Sequence, residues 1–295
     1  MTRVAVIDGC RTPFTKMGSA LAQYSLLDLG MHAVSSLVQR LDIDPVAIEE
    51  LAYGAVMYDT RLPNLAREIV QRTDLPNTVG AHFVSNNCIT GLVAVNMISE
   101  AIQSGRVAVG LAGGVESLSR PSLSVHPKGE EFFIRLSRAR SLGEKLPLLS
   151  KFRLKYLMPQ APSPKEPSTG LTMGQHMELT AQEMKIAREL QDNIALRSHQ
   201  NAARAASDGI LGKEIAPLGG VEQDNLIRSD TSLEKLAKLR PVFERSEKGT
   251  LTAGNSSPLT DGASAVCLMS EQAAKTHGKE ILAYIEDVRF AAISA

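Results

Sequence analysis

The segment His82-Phe-Val-Ser-Asn-Asn-Cys-Ile-Thr-Gly-Leu92 places a cysteine, Cys88, between an apolar run that reads as a strand and a run that reads as a helix. A strand-to-helix turn delivers a side chain to the C-terminal edge of a sheet, where α/β proteins bind ligands. The first turn of a helix also offers free N–H groups and the positive end of its dipole, a setting in which thiols act as anionic nucleophiles. The competing reading of Cys88 is a buried structural thiol. A second segment, Thr252-Ala-Gly-Asn-Ser-Ser-Pro-Leu-Thr-Asp-Gly-Ala263, is polar, bears glycines and leads into a strand. Such a loop lets backbone approach a ligand closely, while its Ser and Asn offer hydrogen bonds. An ordinary connection is the alternative. Glu116 is read either as a buried acid orienting the loop around Cys88 or as a turn-closing acceptor. His82 reads as a core or edge residue of the strand before Cys88, and His176 and His199 as solvent-facing positions on helices. His32, His126 and His277 have no chemical neighbours in sequence. Cys10 and Cys267 lie in or beside apolar runs and read as small core residues.

These side chains need a frame. A strand at Val4–Ile7 is followed by Ser25, with Asp28 three residues on, the spacing of a capping box. Leu27, Met31, Val34, Val38 and Leu41 then keep one face at steps of three to four residues. Asp44-Pro45 has the chemistry of a short helix start. Strand-like runs at Leu51–Val56, Ala81–Ser85 and Val107–Ala112 alternate with helical patterns at Asn64–Arg72 and Thr90–Ser104. This alternation predicts an α/β fold, a mostly parallel sheet covered by helices on both faces.

From Ser119 to Gly249 the pattern changes to prolines, basic residues and helices at Met173–Lys185, Glu189–Ser207 and Ser232–Leu239, which reads as an inserted helical domain. Strand-like runs return at Ala265–Met269 and Ile281–Val288, with a short helix at Glu271–His277 between them. Within the insertion, Arg135 to Lys155 mixes Arg138, Arg140, Lys145, Lys151 and Arg153 with Leu, Phe and Tyr156. Pro147 is expected to prevent one continuous helix there. Basic amphipathic stretches bind membrane surfaces or partner subunits, or form a solvated face.

Thirty-two basic residues balance thirty-two acidic ones in 295, so no global field steers the chain toward nucleic acid or membranes. Aromatics are only 4% of the chain, which argues against a stacking surface for single strands. Three cysteines without a CxxC or Cys/His pairing argue against a zinc site, and their odd, sparse count points to a reducing compartment. The strand pattern begins at Arg3 with no secretory or transit segment before it, so cytoplasm is the expectation.

Six collinear segments resemble the thiolase family: Arg11-Thr-Pro-Phe14, Asn64-Leu-Ala-Arg67, Asn87-Cys88-Ile-Thr-Gly-Leu92, Gly113-Gly-Val-Glu-Ser117, Ser232-Leu-Glu-Lys-Leu-Ala-Lys-Leu-Arg-Pro241 and Thr252–Ala263. Leu148-Leu-Ser-Lys-Phe-Arg153 and Ala195-Leu-Arg-Ser-His199 extend the similarity to thiolase subunits of fatty-acid β-oxidation complexes. The resemblance implies a thiolase fold. Its N-terminal domain would comprise residues 1–118 and 250–278, its inserted coenzyme A-side domain residues 119–249, and the start of a truncated C-terminal domain residues 279–295. It also implies thiolytic cleavage of 3-ketoacyl-CoA through an acyl-enzyme on Cys88. Arg228 would contact coenzyme A, and Ser257 its pantetheine arm.

Coenzyme A is then a co-substrate, with no permanently bound cofactor and no metal. A homodimer, a hydratase/dehydrogenase partner subunit and peripheral membrane contact are the expected associations. Thr172-Met-Gly174 stands where short-chain biosynthetic thiolases have His-Met-Gly, which favours longer acyl chains. The family's Asn-Glu-Ala-Phe or His-Glu-Ala-Phe segment, Gly-His-Pro histidine and Cys-x-Gly cysteine do not occur in these residues. Little turnover is therefore expected of the chain alone. Two other readings remain open: a non-catalytic acyl-CoA-binding or assembly protein, and a condensing ketoacyl synthase. The Thr252–Ala263 loop and the insertion weigh against the synthase.

Overall fold

The computed structural model describes residues 2–292. Met1 and residues 293–295, at the outer ends of the expected segments 1–118 and 279–295, lie outside the described residues. Along the chain come β1 (Val4–Arg11), β2 (Thr15–Lys16), α1 (Leu26–Leu41), β3 (Glu50–Gly54), α2 (Leu65–Arg72), β4 (Gly80–Val84), α3 (Thr90–Gln103) and β5 (Val109–Ser117). The stretch predicted as an insertion holds β6 (Ser124–Val125), α4 (Pro127–Arg138), α5 (Leu142–Leu149), β7 (Pro159–Gln160), α6 (Met173–Glu183), α7 (Arg188–Ser207), α8 (Ile210–Glu214) and α9 (Leu233–Ala237). The chain then returns through β8 (Thr260–Ser270), α10 (Glu271–Thr276) and β9 (Ala283–Ile285).

One sheet runs in the order β4-β3-β5-β8-β1-β9, with β2 beside β8. β3 pairs in parallel with β4 and β5. β8 is antiparallel to both its neighbours, and β9 is antiparallel to β1. The sheet is therefore mixed: β1 to β5 share a direction, and the two late strands oppose it. Sequence alternation detects the βα units, but not the direction in which a strand re-enters after a long excursion.

Successive strand residues point to opposite faces, and this divides the core. Leu51, Tyr53 and Leu111 face α1 and α2, joining Leu29, Ala33, Val34, Leu37 and Ile69, all fully buried. Ala52, Ala112 and Leu268 face the other way and receive Ala94, Ile98, Ala101 and Ile102 of α3. Each of these large side chains contributes about 1.5–3 kcal/mol through burial. α1 starts where expected, with Ser25 and Asp28 forming a complete capping box. Asn64 caps α2 through the Arg67 N–H.

In the region 119–249 three further helices, α4, α5 and α8, join those expected. The break between α4 and α5 falls at Ala139–Ser141, and Pro147 lies inside α5. The proline removes one helical N–H, and α5 has no buried residue, so water can meet the freed carbonyl.

Candidate active site

Cys88 lies in the turn between β4 and α3, and the turn is built by Thr90. The Asn86 N–H donates to Thr90 Oγ1 at 2.8 Å, and the same hydroxyl donates to the Asn87 carbonyl at 2.7 Å. Thr90 is 5% exposed, so both bonds are shielded from water. Asn87 takes φ +47°, a left-handed conformation that asparagine tolerates better than most residues. This reversal turns Cys88 outward, and it is exposed while Cys10 and Cys267 are buried. No side chain caps α3. The positive end of this helix therefore lies beside the thiol with no competing side-chain acceptor. Gly54, at the end of β3, lies against this turn. A Cβ there would run into the Val84 carbonyl and the Thr90 methyl.

Cys88 borders an open groove of about 480 Å³. Its other walls are Gly9–Arg11 of β1, Gly91, Leu92 and Val95 of α3, Ala112 and Gly113 of β5, Glu214, and Ser264–Val266 of β8. Arg11 forms a bidentate pair with Asp224 at 2.7 and 2.9 Å and reaches Glu214 at 2.8 Å. It is largely covered, and its fork ties β1 to the chain at 214–224. The Phe14 N–H also donates to Asp224. No histidine lines the groove among the described residues.

The other two thiols are buried. Burial pushes the Cys10 thiol up to about 11, and its Sγ donates to the Ala33 carbonyl at 3.2 Å. Burial pushes Cys267 up to about 12.

Glu116 accepts from the backbone N–H groups of Val56 and Met57 and so closes the turn after β3. Burial raises its carboxyl above the usual range against those bonds. This geometry is the turn-closing one. His82 is exposed at edge strand β4, 3.7 Å from Glu50. His176 and His199 are half-exposed on their helices, and each makes a surface hydrogen bond. His176 meets Thr169 Oγ1 at 2.7 Å, and His199 Nδ1 accepts the Arg228 N–H at 3.2 Å. A polar neighbour brought in by a later loop cannot be read from a helical pattern.

Arg228 and Ser257 are both exposed, and neither lines the groove beside Cys88. Ser257 Oγ makes only a local contact with the Pro258 carbonyl at 3.4 Å. The loop that carries Ser257 is fixed from the helical region. Glu178 of α6, 2% exposed, accepts from the N–H groups of Thr250 and Leu251 and from the Thr250 hydroxyl at 2.8–2.9 Å. Burial alone would raise the Glu178 carboxyl, but these bonds override it and hold it below the usual range. Asn255 donates to Asp192 of α7 at 3.0 Å and to the Thr250 carbonyl, and accepts the Thr252 N–H at 2.7 Å. Arg188 completes the set by donating to Asp192 at 2.7 Å. At the far end of the loop, the Ser119 N–H and hydroxyl both donate to buried Asp261. Asn255 is thus spent on holding the loop and is not free for a ligand. Glu178, Asp192, Thr90 and Gly54 were not anticipated from sequence. Only Thr90 carried a signal, as a hydroxyl at a helix start.

Residues 4–272 match the family described as the thiolase N-terminal domain. The chain is 42% identical over 297 residues to a 3-ketoacyl-CoA thiolase of Pseudoalteromonas translucida, covering 99% of this chain and 68% of that protein. It is 43% identical over 300 residues to the 3-ketoacyl-CoA thiolase of Aeromonas salmonicida, with the same coverage. Among solved structures, the acetyl-CoA acetyltransferase of Bacillus anthracis aligns with a TM-score of 0.81 at 27% identity, over 96% of this chain and 69% of that one. Human mitochondrial 3-ketoacyl-CoA thiolase in complex with CoA aligns with a TM-score of 0.80 at 28% identity, over 96% and 68%. With the Cys88 turn, the mixed sheet and the anchored loop described, the match over residues 4–272 and the 42% identity place this chain in the thiolase family of acyltransferases.

Proposed function

We propose that the chain carries the acyl-accepting half-site of a 3-ketoacyl-CoA thiolase of fatty-acid β-oxidation, with Cys88 as the nucleophile. The observation that carries this reading is the outward turn of Cys88, the one exposed thiol of three, at the uncapped start of α3. The Cys88 thiolate adds to the C3 keto carbon of the substrate. The C2–C3 bond then breaks, its electron pair leaves on C2 of the departing acetyl-CoA and is protonated, and the shortened acyl group stays on sulfur as a thioester. The thiolate of a second coenzyme A attacks that thioester, releasing acyl-CoA and restoring the Cys88 thiolate. Coenzyme A is a co-substrate in this scheme. Arg228 supplies charge for its phosphates and Ser257 a hydrogen bond for its pantetheine arm. A human structural neighbour in complex with CoA supports coenzyme A as the co-substrate.

Each turnover needs a proton donor for C2, and no histidine lines the groove among the described residues. Acylation itself is therefore expected to be slow, with little turnover from these residues alone. The test is the release of acetyl-CoA from a 3-ketoacyl-CoA. One equivalent or less per chain is expected, and none from Cys88→Ser. Undiminished release by that variant would defeat the assignment.

A further inference from the structure

The segment Ser232–Pro241 resembles the family in sequence, and the acyl-transfer scheme gives it nothing to do. It carries α9, and α9 packs on the loop that bears Ser257. Gly254 of that loop lies flat on the helix, where a Cβ would come within 2.5 and 2.6 Å of the Leu239 and Leu236 methyls. The Val242 N–H donates to the Leu251 carbonyl at 3.0 Å, and Pro241 bridges to Thr252. A helix ends with carbonyls that have no partner within it. Arg188 of α7 takes the Leu236 carbonyl at 2.7 Å and that of Leu239, just past α9, at 3.2 Å. Through Nε the same guanidinium donates to Asp192 at 2.7 Å. Pairs at i, i+4 on a helix are ordinarily exposed and worth little. This one is covered, with Asp192 4% exposed and the Arg188 side chain 19%. A buried ion pair adds little net stability, because desolvation offsets the attraction, and its best-attested use is to fix one geometry. Each partner here spends its remaining atoms away from α7. Arg188 holds the end of α9, and Asp192 Oδ1 accepts the Asn255 amide at 3.0 Å.

We propose that Arg188 is a positioning residue for coenzyme A binding. Its guanidinium fixes the end of α9 against α7 and, through Asp192 and Asn255, sets where the Thr252–Ala263 loop sits. Ser257, two residues beyond Asn255, is thereby presented to the pantetheine arm. This inference rests on the assignment of Ser257 to that arm. The link is separate from Glu178, which holds the backbone at Thr250 and Leu251, before the loop begins. It is separate from the nucleophile as well, since neither Arg188 nor Asp192 lines the groove beside Cys88. Only a planar fork can serve both directions at once. A lysine at 188 keeps the charge but has one nitrogen, which cannot hold the geometry of three acceptors on two elements.

The experiment is titration calorimetry of the full chain with coenzyme A and with its adenosine bisphosphate fragment, which lacks the pantetheine arm. Arg188→Lys is expected to weaken coenzyme A about tenfold and the fragment not at all, with Cys88 alkylated at the parent rate. Asn255→Ala cuts the same link from the loop side and is expected to do the same. It leaves both helices intact, so the test stands even if the arginine variant unfolds. Ser257→Ala also costs about tenfold, and adding Arg188→Lys to it costs no more, because the two changes remove one contact. A fragment weakened as much as coenzyme A would make Arg188 a general prop of the region and overturn the proposal. An additive loss of roughly a hundredfold in the double variant would do so too, as would unchanged affinity in Asn255→Ala. Unchanged affinity in Ser257→Ala would instead withdraw the assignment of Ser257, and the positioning role with it.

Discussion

Three cysteines in one chain meet three different environments, and the environments set their chemistry. Cys10 and Cys267 are held as neutral thiols by burial, with values of about 11 and 12, whereas Cys88 is exposed at a helix start. A thiol near 11 is ionised at only about one part in a thousand at pH 8. Iodoacetamide at that pH is therefore expected to add one adduct per native chain, at Cys88, and three only in denaturant. A second rapid adduct on the native protein would show that burial does not protect the other two. The candidate nucleophile was legible in sequence because a cysteine between a strand pattern and a helix pattern is a local signal. What sequence could not supply is the turn itself, made by the Thr90 hydroxyl and by the positive φ of Asn87. The bonds that spend Asn255 on Asp192 were equally hidden, because they join residues 63 apart.

At the scale of the element, close approach matters more than propensity. β3 and the Cys88 turn meet at Gly54, where a side chain would strike the Val84 backbone. Gly54→Ala is expected to cost about 1–3 kcal/mol in urea unfolding and to slow Cys88 alkylation, since the turn must move to admit the methyl. Unchanged stability together with an unchanged alkylation rate would show that the turn is not pinned from β3. Elements with a buried stripe, such as α1 with its capping box, were readable from periodicity and cap chemistry. α5 was not, since it buries nothing, contains Pro147 and so leaves no core-facing pattern to detect. β8 was seen as a five-residue run at Ala265–Met269, yet it extends from Thr260 to Ser270. Its first residues belong to the polar Thr-Asp-Gly stretch, whose strand conformation comes from pairing with the Gly-Gly-Val-Glu-Ser end of β5.

Across the whole molecule, the helical region and the sheet are joined by a few buried polar groups. Glu178 is one of them, because its carboxylate is the acceptor for the backbone that begins the 252–263 loop. Its folded value lies below the ordinary 4.5, so the stabilisation is fully present above the unfolded value and is lost as pH falls through the folded one. Glu178→Gln is expected to cost on the order of 2–3 kcal/mol at pH 7, since a neutral amide replaces a charged acceptor. That difference from the parent chain should shrink below pH 4. An equal difference at pH 7 and pH 3, measured by urea midpoints, would remove Glu178 from the acid response.

The most direct test of the account is to incubate the chain with a 3-ketoacyl-CoA, digest it, and weigh the peptides. The shortened acyl group is expected as a thioester on the peptide that carries Cys88, absent in Cys88→Ser and released by added coenzyme A. Acyl groups on another residue, or no acyl group on any peptide, would contradict it.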